Sequence, residues 1–121
     1  MSQIDPVSIA RLPEKQRKET IRGILQGLFT MGEDQAFRAL RSVISALAER
    51  ASDEEYTNWC KTTMEILASY PDEVVKAGLA LRAKVVASLD RKLADRDAEI
   101  INKVMGLLDD ATRRKLMRNL K

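Results

Sequence analysis

Apolar side chains recur every three to four residues along most of the chain, which is the spacing of one face of an α-helix. In the first such segment the apolar positions are Ile21, Ile24, Leu25 and Leu28. We therefore predict a helix over residues 14–31, which begins after Pro13 and stops at Gly32. A second helix follows over residues 33–51, with acids in its first turn and an arginine in its last, as the helix dipole favours.

A capping box introduces the third predicted helix. In Ser52-Asp53-Glu54-Glu55, the serine hydroxyl and the glutamate carboxylate can each satisfy a free backbone N–H group of the other residue. Apolar and aromatic residues then continue along one broad side of the segment. We predict that this helix runs to about Ser69, since Pro71 cannot continue it.

The fourth predicted helix, over residues 72–93, is the most apolar segment of the chain. Valines and leucines form a seam along it, and alanines lie on an adjoining face. Because a helix that is apolar on two sides needs neighbours on both, we place it at the centre of the fold. Asp95 is the expected N-cap of a fifth helix over residues 96–108. Asp109 and Asp110 then introduce a short sixth helix.

These segments predict an all-α fold, because β-branched residues do not alternate with polar ones and no Asn-Gly or Asp-Gly hairpin signal occurs. Tight turns between the segments favour antiparallel neighbours. We predict a compact bundle of about five to six mostly antiparallel helices around the apolar helix over residues 72–93. A chain of 121 residues fits one domain, which we place over residues 13–121, after an N-terminal arm over residues 1–12.

The composition excludes several classes of chemistry. The chain has no histidine and one cysteine, so a single copy can build neither a histidine-based catalytic triad nor a structural zinc site. Asp95, Asp97 and Glu99 alternate like calcium ligands, but the glycine of a calcium loop is missing, and they are typical first-turn acids of a helix. We interpret Cys60 as a buried, unreactive thiol. We therefore expect no enzymatic activity, no metal and no cofactor.

No segment has the character of a membrane anchor or a secretory signal. The longest stretch without a charge, residues 23–32, has ten residues, whereas a bilayer span needs about 20. Near the N-terminus, Asp5, Pro6 and Arg11 interrupt the apolar run that a signal would need. We expect a cytoplasmic protein without membrane contact.

The net charge of +3 arises in the C-terminal segment. Five cations and no acid lie within residues 113–121, so the rest of the chain carries a net charge of −2. The five cations are Arg113, Arg114, Lys115, Arg118 and Lys121. They are candidates for contact with nucleic-acid phosphates or with an acidic protein face. Alternatively, they complement the dipole at the end of a helix and form an ordinary solvated face.

Five further residues are candidates for a protein interface. Tyr56 and Trp59 would anchor an interface, as such aromatic side chains often do, or they belong to the core. Arg82 interrupts an apolar seam, where it can lie at a rim, pair with an acid across the bundle or mark a partner surface. Gly23 and Gly27 lie four residues apart on one helix and indicate a close backbone approach, inside the bundle or at a subunit interface.

The sequence predicts a non-catalytic small helical protein that acts by binding another protein, as an adaptor, an inhibitor or a small subunit of an assembly. The partner can be a second copy of the chain. The alternative is a nucleic-acid-binding protein, or a subunit of a nucleoprotein complex, that contacts phosphates through the basic C-terminal helix. That helix has no aromatic residue to stack on bases. An enzyme that uses carboxylates or a bound metal is the least favoured hypothesis, and no small-molecule substrate is inferred.

Overall fold

The computed structural model describes residues 5–120, and the regular structure in that range is entirely α-helical. The helices are α1 (Pro6–Ala10), α2 (Glu14–Thr30), α3 (Glu33–Arg50), α4 (Asp53–Leu67), α5 (Asp72–Ala87), α6 (Arg91–Leu107) and α7 (Asp110–Arg118). The all-α prediction is confirmed. The described range holds seven helices rather than the five to six predicted.

The additional helix at the N-terminal end is α1, which lies in the segment predicted as an arm. Asp5 caps it, because its carboxylate accepts hydrogen bonds from the backbone N–H groups of Val7 and Ser8. Val7 and Ala10 are buried, and α1 packs against α3 and α4. A helix of five residues is too short to show a helical period, which is why the sequence pattern did not indicate it.

The predicted fourth helix ends earlier than expected. The Ser88 hydroxyl donates to the Val85 carbonyl oxygen at 2.6 Å, and α5 stops at Ala87. Such local side-chain bonds compete with the helical hydrogen-bond pattern. A new helix, α6, begins at Arg91, so Asp95 lies inside α6 and is not its N-cap.

The predicted central position of the fourth helix is not confirmed. Instead, α4 packs against α1, α2, α5, α6 and α7, and about half of its residues are buried. By contrast, α5 buries only Val75, Leu79 and Val85. Its second apolar face consists largely of alanines that remain exposed, namely Ala77, Ala80, Ala83 and Ala87. Among the described helices, none has the length and the apolar character needed to cross a membrane.

The predicted helix starts at Ser52 and Asp109 are confirmed in atomic detail. The backbone N–H of Glu55 donates to the Ser52 hydroxyl at 3.1 Å, and the Ser52 N–H donates to the Glu55 carboxylate at 2.9 Å. At the start of α7, the Thr112 N–H donates to the Asp109 carboxylate at 2.8 Å. These bonds satisfy N–H groups that have no partner within a helix.

Candidate functional site

An apolar cleft opens at the surface between α2 and α5. It is lined by Leu28, Phe29, Ala77, Ala80 and Leu81, with Lys84 at its rim. Within residues 5–120, α2 and α5 are not packed closely against each other, although both pack against α3 and α4. Phe29 is 40% exposed, so apolar surface at this position contacts water.

A narrower cavity of about 60 Å³ adjoins the cleft and reaches into the bundle. Both spaces are lined by Leu28, Phe29, Gly78 and Leu81. The cavity is therefore the inner end of the cleft, and there it is lined by Trp59 and Cys60 of α4 and Arg82 of α5. A side-chain carbon at Gly78 would lie 3.0 Å from Leu67 Cδ1, so the glycine allows α5 to approach the end of α4.

A buried polar cluster lies behind this cavity and joins three helices. Arg82 Nη2 of α5 donates to Asp97 Oδ1 of α6 at 2.6 Å. The Tyr56 hydroxyl of α4 donates to the same oxygen. Asp97 is only 2% exposed, so its charge is balanced by Arg82 and not by water.

Burial raises the pKa values of Tyr56 and Cys60, the other two titratable groups in this region. Desolvation of the phenolate raises the pKa of Tyr56, and the hydrogen bond to the Asp97 carboxylate raises it further. Burial raises the pKa of the Cys60 thiol to about 12, although the nearby positive charge of Arg82 acts in the opposite direction. Both groups are therefore protonated at neutral pH. The thiol has no thiolate character with which to act as a nucleophile.

Of the three predicted interface residues of α4 and α5, Tyr56 and Trp59 are thus parts of the core, and Arg82 is partly buried beside it. Tyr56 is fully buried and Trp59 is 5% exposed, so neither presents a ring to solvent. Arg82 pairs with an acid across the bundle, which is one of the three roles considered for it above. Its guanidinium donates a hydrogen bond to Asp97. Of these three residues, Trp59 and Arg82 reach the inner end of the cleft.

Gly23 and Gly27 have no close neighbour among the described residues. A side-chain carbon built at either position would meet no atom of another part of the chain within 4 Å. A close approach inside the bundle therefore does not explain them, and a subunit interface at these glycines stays a prediction.

The cations of the C-terminal helix bind mostly to the protein itself. Arg113 donates to the carbonyl oxygens of Met105 and Leu108 at 2.8 and 2.6 Å, and it closes the turn between α6 and α7. Lys115 donates to the Tyr70 carbonyl oxygen. Arg114 is exposed, and Lys121 lies outside the described residues.

Hydrogen bonds also join the end of α7 to the start of α5. Arg118 donates to the two carboxylate oxygens of Asp72 at 2.9 and 3.2 Å, and Asn119 donates to the same carboxylate at 3.2 Å. Between α4 and α5, the ring of Tyr70 meets the ring of Phe29 edge to face, with 5.3 Å between centroids. The basic helix therefore fixes the turn that supports one edge of the cleft.

The sequence pattern does not indicate the structural role of Arg96. Arg96 of α6 donates to the carbonyl oxygens of Ala48 and Ala51 at 2.8 and 2.6 Å, and to the Asp53 carboxylate at 3.0 Å. It also lies over the Tyr56 ring, 5.3 Å from the centroid. These bonds cap the C-terminus of α3. No local pattern indicates this role, because the partners lie more than forty residues away in sequence.

Among residues 5–120, no three cysteine, aspartate or glutamate side chains are placed to hold a metal ion. Compared with protein-family models, curated proteins and solved structures, the chain matches none of them.

Proposed function

We propose that this chain is a non-catalytic protein that binds another protein, and that an amphipathic helix of the partner docks in the cleft between α2 and α5. The observation that carries the proposal is the uncovered second face of α5. Ala77, Ala80 and Leu81, together with Phe29, line an apolar surface that the described chain leaves open. Apolar surface of this kind is typical of interaction sites.

The shape and the rim of the cleft favour a helix as the occupant. The cleft runs between helices and is lined by small residues of α5, so a partner backbone can approach closely. At the rim, Lys84 and Glu33 form a long ion pair of 3.7 Å, and both side chains are mostly exposed. Such a pair contributes little to stability and is free to exchange for charges on the polar face of a partner helix.

The alternative, nucleic-acid binding through the C-terminal helix, has weaker support. Arg113, Lys115 and Arg118 each have carbonyl or carboxylate partners within the chain. Contact with phosphates would have to compete with these bonds. If the partner is a second copy of the chain, protein binding becomes self-association. We propose the cytoplasm as the location.

Affinity capture with matched variants tests the proposal. Ala80 and Ala98 are both exposed alanines within helices, but only Ala80 lines the cleft. Ala80→Lys places a charge in the cleft, whereas Ala98→Lys places the same charge on α6. Wild type and both variants are checked for equal thermal stability and then used as bait in native lysate of the source organism, with and without nuclease.

We expect one stoichiometric partner that wild type and Ala98→Lys retain after nuclease treatment and that Ala80→Lys loses. Equal capture by Ala80→Lys would show that the cleft is not the docking site. Loss of the partner on nuclease treatment would favour the nucleic-acid alternative. Retention of the chain itself as the partner would identify self-association.

A further inference from the structure

We infer that the partner inserts one aliphatic side chain, of the size of leucine, isoleucine, valine or methionine, through the cleft into the 60 Å³ cavity beside Trp59. This inference rests on the proposed function, because it names the chemistry of the group that docks. Its basis is the size of the cavity and the state of the polar atoms that line it.

The volume of the cavity selects a small group. An apolar cavity of about 150 Å³ accommodates a benzene molecule, and one water occupies about 30 Å³ of the liquid. The cavity of about 60 Å³ is less than half the size of that benzene-binding cavity, and it fits the branched end of an aliphatic side chain better than an aromatic ring. A void of this kind also forfeits dispersion contacts, which an inserted side chain restores.

The cavity is lined mainly by apolar side chains, and two of its few polar side chains are bonded within the protein. The Thr63 hydroxyl donates to the Trp59 carbonyl oxygen at 2.7 Å, and Arg82 is bound to Asp97. The Cys60 thiol is buried and is a weak donor. A polar group inserted here would lose hydrogen bonds to water and meet a mainly apolar wall, so the site favours an apolar group.

The entrance lies where the cleft and the cavity share their walls. Leu28 and Phe29 belong to one side and Gly78 and Leu81 to the other. Leu81 is half-buried and lines both spaces, so its side chain forms part of the wall that the cleft and the cavity share. An aliphatic side chain that projects from a helix in the cleft therefore enters between α2 and α5.

A peptide selection tests this inference without knowledge of the natural partner. A displayed library of random amphipathic helical peptides that lack tryptophan is selected on immobilised wild-type chain. Selected peptides are then measured against wild type, Ala80→Lys, Thr63→Leu and Thr63→Val. Thr63→Leu fills the cavity from α4, whereas Thr63→Val has nearly the size of threonine and controls for loss of the hydroxyl. Trp59 is the only tryptophan of the chain and lines the cavity, so its fluorescence reports occupation.

We expect the selected peptides to share one aliphatic position and to change the Trp59 emission. Replacement of that residue by alanine, or of Thr63 by leucine, should weaken binding by at least about tenfold, as burial of an aliphatic side chain implies. Thr63→Val should bind as wild type does.

The outcomes separate this inference from the proposed function. Peptides that bind through an aromatic or polar residue, or that are lost on Ala80→Lys but bind Thr63→Leu normally, overturn the aliphatic anchor and leave the cleft as the docking site. Peptides that bind both variants as they bind wild type overturn both statements. A selection that yields no peptide enriched on wild type relative to Ala80→Lys also overturns both statements.

Discussion

Arg82 and Asp97 form an ion pair of 2.6 Å in which the carboxylate is almost completely shielded from water. The pair joins α5 to α6, and the Tyr56 hydroxyl joins α4 to the same carboxylate oxygen. Since Arg82 also lines the cavity, the pair fixes the inner end of the cleft. The stability of the fold and the shape of the proposed site therefore depend on the same three side chains.

Removal of one partner from this pair should be strongly destabilising. Asp97→Ala leaves a largely buried guanidinium without its counter-charge and the Tyr56 hydroxyl without an acceptor, so we expect a loss of about 3–5 kcal/mol in the free energy of unfolding. Urea denaturation measures this loss. Asp95→Ala removes a mostly exposed carboxylate of the same helix and should change the value by less than about 0.5 kcal/mol. Equal effects of the two variants would contradict the buried pair.

The C-terminal cap of α3 by Arg96 gives a second prediction. Arg96→Met retains most of the apolar stem but removes the hydrogen bonds to the Ala48 and Ala51 carbonyl oxygens, and it should lower the free energy of unfolding by about 2 kcal/mol. Arg91→Met is the matched control, because the Arg91 side chain is 94% exposed. Chemical denaturation of both variants is the measurement. An Arg96→Met protein as stable as Arg91→Met would show that the cap does not contribute.

The sequence predicted the helices with strong periods and missed features that depend on contacts between distant segments. The first two predicted helices agree with α2 and α3 to within one residue at each end. The sequence pattern predicts that α6 starts at residue 96, which makes Asp97 a first-turn acid. Its true start at Arg91 places Asp97 in the helix interior, opposite Arg82. An error of five residues in one boundary therefore concealed the buried pair.

The cleft itself could not be predicted from a linear pattern. The sequence correctly indicated that the segment of α5 has two apolar faces, but it could not show that one of them lacks a neighbour. That outcome depends on α2 and α3, which border the cleft and do not cover the alanines. The sequence pattern shows that Arg82 interrupts an apolar seam, but it does not show that Asp97 is its partner.

Because of the contact between α7 and α5, we expect the stability of the fold to decrease at acidic pH. The hydrogen bonds from Asn119 and Arg118 lower the pKa of Asp72 below its ordinary value of 3.8. The ionised carboxylate is therefore favoured in the folded state, and its contribution to stability is present above pH 3.8 and lost as the pH falls through the lower folded pKa.

Thermal melts of wild type and Asp72→Asn over this range measure the effect. The variant should melt at a lower temperature at pH 7, and the difference should shrink well below pH 3.8. Glu73→Gln removes a charge from the same first turn of α5 and controls for the helix dipole. A difference between wild type and Asp72→Asn that does not change with pH would contradict this account of the contact.

The thiol of Cys60 should react with a thiol reagent only when the protein unfolds. Burial raises its pKa to about 12, so at pH 8 the thiolate is scarce and the sulfur is also inaccessible. Ellman's reagent should give no rapid colour with the native protein and one equivalent of thiol in urea, since the chain has one cysteine. Rapid stoichiometric reaction of the native protein would show that the inner end of the cleft is open to solvent.

Hydrogen–deuterium exchange of the chain, with and without its captured partner, shows whether the partner protein binds in the cleft between α2 and α5. We predict that the partner slows exchange within residues 25–31 and 77–84 and leaves α7 unchanged. Protection confined to α7 or to the outer face of α3, with no change at the cleft, would contradict this proposal.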